Sequence, residues 1–320
     1  MYDTIMKNIH LEHPEDSILD GTLTVLDAFL NAFVLSVKID GAPAVVWGTN
    51  PATGNFFVGT KSVFNKKKIR ICETQEQITE WYGGTPLEMI LGSCLCNLPH
   101  TDRIFQGDFI GFGGDRIYTP NTITYEFDAP VQEEIIIAPH TEYSIPANAD
   151  KFIFGRDPDL RDVVAYPICR LNPFPATNPD GSYFVKWVTP KAFGNFECLK
   201  ETVEFAKGVA SRVEFATPKE AAQYKKELNA CIREGREIDH LEWDNPNLIG
   251  FWKLVKSIKD DALFLTYQSG GPNAYIGEKH IDAEGYVMHT ETGSWKLVDR
   301  EEFSHSNFNN PKFARVCASA

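Results

Sequence analysis

Phe33-Val34-Leu35-Ser36-Val37-Lys38-Ile39-Asp40-Gly41 reads as a β-strand that stops at a glycine. Phe33, Leu35, Val37 and Ile39 alternate onto one face, and Ser36, Lys38 and Asp40 onto the other. Taken alone, a Lys beside an Asp on an open sheet face is a surface ion pair, contributing about 0–1 kcal/mol. The text around it continues as β to about residue 143, in short apolar runs separated by Gly, Pro and Asn. Ala44-Val45-Val46-Trp47 leads through a turn at residues 48–55 into Phe56-Phe57-Val58-Gly59-Thr60-Lys61. Residues 73–98 read as mainly helical, and Ile104-Phe105-Gln106-Gly107-Asp108-Phe109-Ile110 as strand. Glu134-Ile135-Ile136-Ile137-Ala138 is a further strand, leading into Pro139-His140.

Residues 145–182 are rich in Pro, Asp and Asn and read as loop. Residues 190–260 turn helical, and the block reads as an insertion within one domain spanning 1–320. Thr217-Pro218-Lys219-Glu220 is a helix start, with Thr as cap, Pro at the first position and Glu closing a capping box. β text returns at Glu284-Gly285-Tyr286-Val287-Met288-His289, turns at Glu291-Thr292-Gly293-Ser294 and comes back through Trp295-Lys296-Leu297-Val298 as a hairpin. The expected class is α+β, mainly antiparallel sheets with flanking helices. His13-Pro14-Glu15-Asp16 is expected to open a helix running towards Phe33.

The chain has 320 residues, 43% of them hydrophobic and 23% charged, which suits a folded core rather than a disordered chain. No apolar run approaches the roughly 20 residues of a membrane helix. The start lacks the charged-then-apolar order of a secretory signal, so a cytoplasmic protein is expected, in the host cytoplasm if phage-encoded. Seven scattered cysteines read as reduced thiols. Cys94, Cys96 and His100 group closely but lack the second pair of a structural zinc site. A net charge of -13 excludes a broadly basic nucleic-acid coat, while leaving room for a local basic groove. The densest basic stretch holds Lys61, Lys66, Lys67, Lys68 and Arg70. Gly111-Phe112-Gly113-Gly114 has no following Lys-Ser/Thr and is no P-loop.

Lys38-Ile39-Asp40-Gly41 acquires meaning from companions arriving in order: Gly59-Thr60-Lys61-Ser62, Phe105-Gln106-Gly107-Asp108, Glu284-Gly285-Tyr286-Val287 and Trp295-Lys296-Leu297-Val298. With these five motifs the chain resembles the covalent nucleotidyltransferase superfamily of ATP-dependent DNA and RNA ligases and mRNA-capping enzymes. Its wording around residues 13–16, 40–44 and 59–66 is similar to RNA-ligase-like proteins of large tailed bacteriophages. The resemblance implies an ATP-grasp-like core, ATP with Mg²⁺ or Mn²⁺, and nucleic-acid ends as partners, RNA favoured, with no membrane. It also implies that Lys38 attacks the α-phosphate, expels pyrophosphate and carries AMP to a 5′-phosphate end, which a 3′-hydroxyl then seals.

A lysine amine has an ordinary pKa of about 10.4, so roughly one in 2,500 is unprotonated at pH 7. A neighbouring cation, burial or a metal ion exposes the lone pair, and Lys61 and Lys296 are the candidate cations. By the resemblance Lys296 is catalytic and contacts the α-phosphate, Glu284 and Asp108 serve the metal, and Asp108 alternatively meets the ribose. Lys61 contacts nucleotide or strand phosphate, Asp40 orients the Lys38 loop and with Gly41 belongs to the nucleotide-binding set, and an apolar side chain of Ile135-Ile136-Ile137 or His140 covers the base.

Some motifs depart from the family pattern. Ala42-Pro43-Ala44 stands where many members have an Arg, Asp108 where they have Glu, and a single Lys296 where they have two, with Arg300 as the candidate substitute. The 20 residues after Arg300 are too few for the usual OB-fold, which points to a minimal RNA-ligase-like enzyme. A GTP-using capping or tRNA-repair enzyme, and a nucleotide or nucleic-acid-end binder with a decayed site, stay open at this stage.

Overall fold

The computed structural model describes residues 11–65, 67–145, 159–160, 163–168, 184–238 and 245–303. Cys169, Cys317, Lys66 and most of the loop expected at 145–182 lie outside them. In chain order the elements are α1 (Pro14–Ser17), α2 (Thr24–Ala28), β1 (Val34–Lys38), β2 (Ala44–Thr49), β3 (Phe56–Gly59) and a 3-10 turn at Lys61–Phe64. Then come α3 (Gln75–Tyr82), α4 (Pro86–Asn97), β4 (Ile104–Phe112), β5 (Ile117–Tyr118), β6 (Thr124–Glu126), β7 (Ile135–Ser144) and β8 (Val164–Pro167). The remainder is β9 (Val185–Trp187), β10 (Lys191–Gly194), α5 (Lys200–Ala210), α6 (Pro218–Glu234), α7 (Pro246–Phe264), β11 (Thr266–Ser269), β12 (Asn273–Ile276), β13 (Lys279–Ile281), β14 (Gly285–His289) and β15 (Ser294–Val298). The class is α+β, and every strand pair but β7–β9 is antiparallel among those whose register is described.

The chain divides into two compact units. One is built chiefly on Ile39–Thr189. Its sheet runs β3-β2-β4-β7-β8, with β9 parallel to the start of β7. Both faces of this sheet are covered. Val45, Trp47, Val58, Phe105 and Ile137 pack with Ile78 of α3 and Leu91 of α4, while Val46, Phe57 and Ile104 pack with Val63 and Tyr143 on the other side. Burial on two faces is why Ala44-Val45-Val46-Trp47 is a continuous apolar run rather than an alternating one.

The second unit takes Leu11–Lys38, Pro190–Gly270 and the segment from Ala274. Its five-stranded sheet runs β11-β10-β1-β14-β15. One face carries Leu35, Tyr286, Met288, Trp295 and Leu297 into a core with Val203 of α5, Leu228 of α6 and Phe251, Trp252 and Val255 of α7. Each such side chain contributes about 1.5–3 kcal/mol by leaving water. The block expected to be an insertion is therefore what closes this sheet's core. The capping box at Thr217 forms as expected, Thr217 N–H donating to Glu220 Oε2 at 2.9 Å and Glu220 N–H to Thr217 Oγ1 at 3.4 Å. The helix expected from His13 towards Phe33 is instead two short ones, α1 and α2, with Asp20-Gly21-Thr22 between them and Gly21 at φ +85°.

Candidate functional site

The polar face of β1 is where three of the motifs meet. β1 pairs with β14 as Lys38↔Gly285, Ser36↔Val287 and Val34↔His289. β14 pairs with β15 as Gly285↔Val298, Val287↔Lys296 and His289↔Ser294. Because paired residues share a face, Lys38, Val287 and Lys296 stand on the side opposite the core, on three adjacent strands. Lys38 Nζ forms an ion pair with Glu284, one residue before β14. Glu284 has only 6% of its side chain exposed and Lys38 has 25%, so the amine keeps access to solvent. Gly285 sits at φ +150°, and a Cβ there would lie 2.4 Å from Leu297 O, so the motif glycine is demanded by the approach of β15.

The strand alternation that would set Asp40 beside Lys38 does not extend to it. β1 ends at Lys38, and Asp40 belongs to the other unit. There its N–H donates to Tyr125 Oη at 2.8 Å, Tyr125 O–H donates to Asp40 O at 3.0 Å, and Asn121 Nδ2 donates to its carboxylate at 2.6 Å. A Cβ on Gly41 would meet Phe109 O at 2.7 Å, so this glycine lets the loop lie against β4. Asp40 thus shapes the loop after the lysine, and Lys38 finds its counter-charge in Glu284.

One group on the Lys38 side escaped the sequence reading, and the His13 segment, read as a helix start with an active-site flank as the alternative, takes a definite place. Ser36 Oγ lies 2.9 Å from His289 Nε2, and His289 Nδ1 lies 2.9 Å from Ser294 Oγ, a polar chain crossing three strands beside Lys38 and Lys296. The hairpin register alone pairs His289 with Ser294; Ser36 joins through the β1–β14 register, which no local signal gives. Glu12 bridges Trp295, and Lys296 N–H donates to Glu12 O at 2.9 Å, which sets the His13 segment along β15. His13 Nδ1 is buried without a hydrogen-bond partner. Burial, and then the charges of Arg300, Lys296, Lys259 and Lys38, push the imidazole far below its ordinary range and keep it neutral.

Arg300 departs from its expected phosphate role. It is 1% exposed, and Nη1 donates to Glu15 Oε1 at 3.0 Å and Asp16 Oδ1 at 2.9 Å, while Nη2 donates to Asn229 Oδ1 at 2.8 Å. Asp16 Oδ1 also accepts from Trp252 Nε1 at 3.1 Å. A guanidinium fixed by three acceptors anchors α1 to α6 and cannot also reach a nucleotide.

In the other unit, Asp108 Oδ1 and His140 Nε2 are 3.7 Å apart. The strand expected to end at His140 runs on to Ser144, and a break in register between Gln106 and Gly107 leaves His140 as the extra residue of a bulge. That bulge turns the imidazole outward: His140 Nε2 lies 3.4 Å from Gln106 Nε2, and its side chain is 41% exposed. Lys61 opens the 3-10 turn and is exposed, with Thr60 Oγ1 accepting from Ser62 N–H at 3.3 Å. Arg70 lies over the rings of Trp81 and Tyr82 at 5.7 and 5.3 Å. Among the described residues no group of three His, Cys, Asp or Glu gathers as a metal cage, and no helix is long and apolar enough to cross a membrane.

The fold and the strand face thus define an α+β protein carrying a lysine, a carboxylate and a second lysine on adjacent strands. The chain belongs to DUF6267, a family of unknown function, whose description matches residues 8–242 and 191–312. No curated protein and no solved structure matches the chain.

Proposed function

We propose that the chain is an ATP-dependent polynucleotide ligase, RNA favoured, working through AMP held on Lys38. The observation that supports this reading best is the Lys38–Glu284 ion pair with Lys296 on the same sheet face. In the proposed first step the lone pair of Lys38 Nζ, once its ammonium proton has passed to solvent, attacks the α-phosphorus; the bond to the bridging oxygen breaks, pyrophosphate leaves with that electron pair, the nitrogen releases a second proton to solvent, and a P–N bond remains. Glu284 orients the amine. Lys296 meets the charge that builds on the α-phosphate, and such fixed charge is the main contribution a protein makes to this chemistry.

The donor set fits a magnesium-type ion, which takes one or two carboxylates and completes its shell with water and substrate phosphates. Glu284 would hold it, and the ion when bound would neutralise phosphate charge. For Asp108, His140 and Lys61, which belong to the other unit, the nucleoside and phosphate roles rest on the motif resemblance alone.

The test is incubation with ATP labelled on the α-phosphate, counting protein-bound label and released pyrophosphate in equal amounts. The labelled protein is then offered 5′-phosphorylated nicked and single-stranded RNA and DNA. Transfer of label to a strand end, and sealing, are expected, with RNA preferred. Binding of ATP without pyrophosphate release would contradict the proposal, and preferential labelling by GTP would redirect it to capping-type chemistry.

A further inference from the structure

The sheet that carries Lys38 has a second property that nucleotide chemistry does not use. Antiparallel pairing of Ser36 with Lys191, and of Lys191 and Phe193 with Ser269 and Tyr267, extends the Lys38 face across β10 to the edge strand β11. On that extension Phe193 is 43% and Tyr267 60% exposed, and their rings stack with centroids 5.6 Å apart at 26°. The pairing direction carries Phe193 towards Val34, itself 44% exposed. Two large aromatic rings in water, held flat against each other, forgo the burial that such side chains normally find.

Charge on this face is as selective as its apolar surface. The strand residues facing this way are positions 34, 36 and 38 of β1, 191 and 193 of β10, 267 and 269 of β11, and the alternate positions of β14 and β15 that pair with them. Their charged members are Lys38, Lys191 and Lys296, with no carboxylate among them. Glu284, just before β14, reaches this face and pairs with Lys38, which leaves Lys191 beside the aromatic pair and Lys296 as the other strand cations, in a chain with 44 acidic against 31 basic residues. Exposed aromatic rings beside spaced lysines are the chemistry that holds single-stranded nucleic acid, bases on rings and phosphates on ammonium groups. From Val34 to Lys38 is about 14 Å at strand rise, and two strand spacings add about 10 Å sideways, a reach of a few nucleotides.

We propose that this face binds a single-stranded nucleic-acid segment, with bases stacked on Tyr267 and Phe193, a backbone phosphate on Lys191, and the strand end directed towards Lys38. The direction of the end rests on the ligase reading; the binding surface does not.

The test uses the full chain and a short fluorescent single-stranded RNA, with DNA of the same sequence and a blunt duplex alongside, read by anisotropy over a range of salt. The Phe193→Ala/Tyr267→Ala double variant is expected to weaken single-strand binding at least about fivefold to a hundredfold. Tyr267→Trp should retain it, and Lys191→Ala should lower the slope of log Kd against log salt by about 0.7. Both aromatic side chains are exposed, so the double variant should melt with the wild type. Wild-type affinity in the double variant overturns the surface, as does a change of oligomeric state without a change of affinity, which would make the pair a self-contact. Nucleotide labelling is scored on the wild type alone. A chain that binds strands through the pair but never takes label keeps the surface and loses the ligase reading, and a labelled chain with unchanged strand binding does the reverse.

Discussion

Lys38 and Glu284, 246 positions apart in the chain, form an ion pair across β1 and the start of β14. The pair joins two motifs that stand far apart in the sequence. Lys38↔Gly285 register fixes the backbone, and the residue before the glycine supplies the charge.

Glu284→Gln keeps the volume and removes the charge. Self-labelling by ATP should fall about a hundredfold or more, as when a fixed electrostatic partner is lost. Because Lys38 is partly in water, the stability change should be about 1 kcal/mol or less. Parallel loss of labelling and of the folded state, measured by thermal unfolding, would make the pair a structural one.

Arg300→Met strips Glu15 and Asp16 of a buried cation and should cost about 3–5 kcal/mol in urea unfolding. Arg300→Lys should recover little, because one ammonium cannot span Glu15, Asp16 and Asn229 as the guanidinium fork does. Lys296→Ala should show the opposite profile, losing labelling with a much smaller shift in stability. If Arg300→Met unfolds like the wild type, the anchoring role assigned to Arg300 is wrong.

His13 predicts a pH dependence of stability. In the folded chain it stays neutral, with a pKa far below the ordinary 6.5 at which it titrates when unfolded. Below pH 6.5 the unfolded chain therefore binds more protons, so stability is full above that pH and falls as pH drops, by about 1.4 kcal/mol per unit. Glu15 acts in the opposite sense, raised first by burial against the pull of Lys259 and Arg300, with Asp16 adding to the rise. The His13 contribution is thus the difference between wild type and His13→Gln, and identical slopes between pH 5 and 6.5 would remove it.

Tyr125→Phe deletes both hydrogen bonds to the Asp40 backbone in a position that is 1% exposed. A cost of about 1–3 kcal/mol is expected for the unpaired peptide groups, together with slower labelling from a looser loop after Lys38. Unchanged labelling rates at saturating ATP would show that this loop does not position the nucleophile.

The strand at Lys38, the β14–β15 hairpin and the Thr217 helix start were legible because alternation, turn residues and capping are local signals. The Lys38–Lys296 juxtaposition was legible only by motif order, since nothing local pairs β1 with β14. Arg300 misled because its position after Lys296 invites a phosphate role, while its partners Glu15 and Asp16 lie at the far end of the sequence. Asp40 misled for a related reason: alternation assigns it to the Lys38 face, but the strand stops two residues earlier. His289, Phe193 and Tyr267 went unread because their significance lies in cross-strand register, which a single strand's pattern does not contain.

The most direct test of the central claim is to digest the ATP-treated protein and locate the adduct by mass spectrometry. The account predicts one AMP on Lys38, linked through nitrogen and therefore stable to alkali and labile to acid, and no adduct in a folded Lys38→Ala variant. A wild type that is folded yet never modified by any nucleoside triphosphate, or a Lys38→Ala variant modified as fully as the wild type, would contradict it.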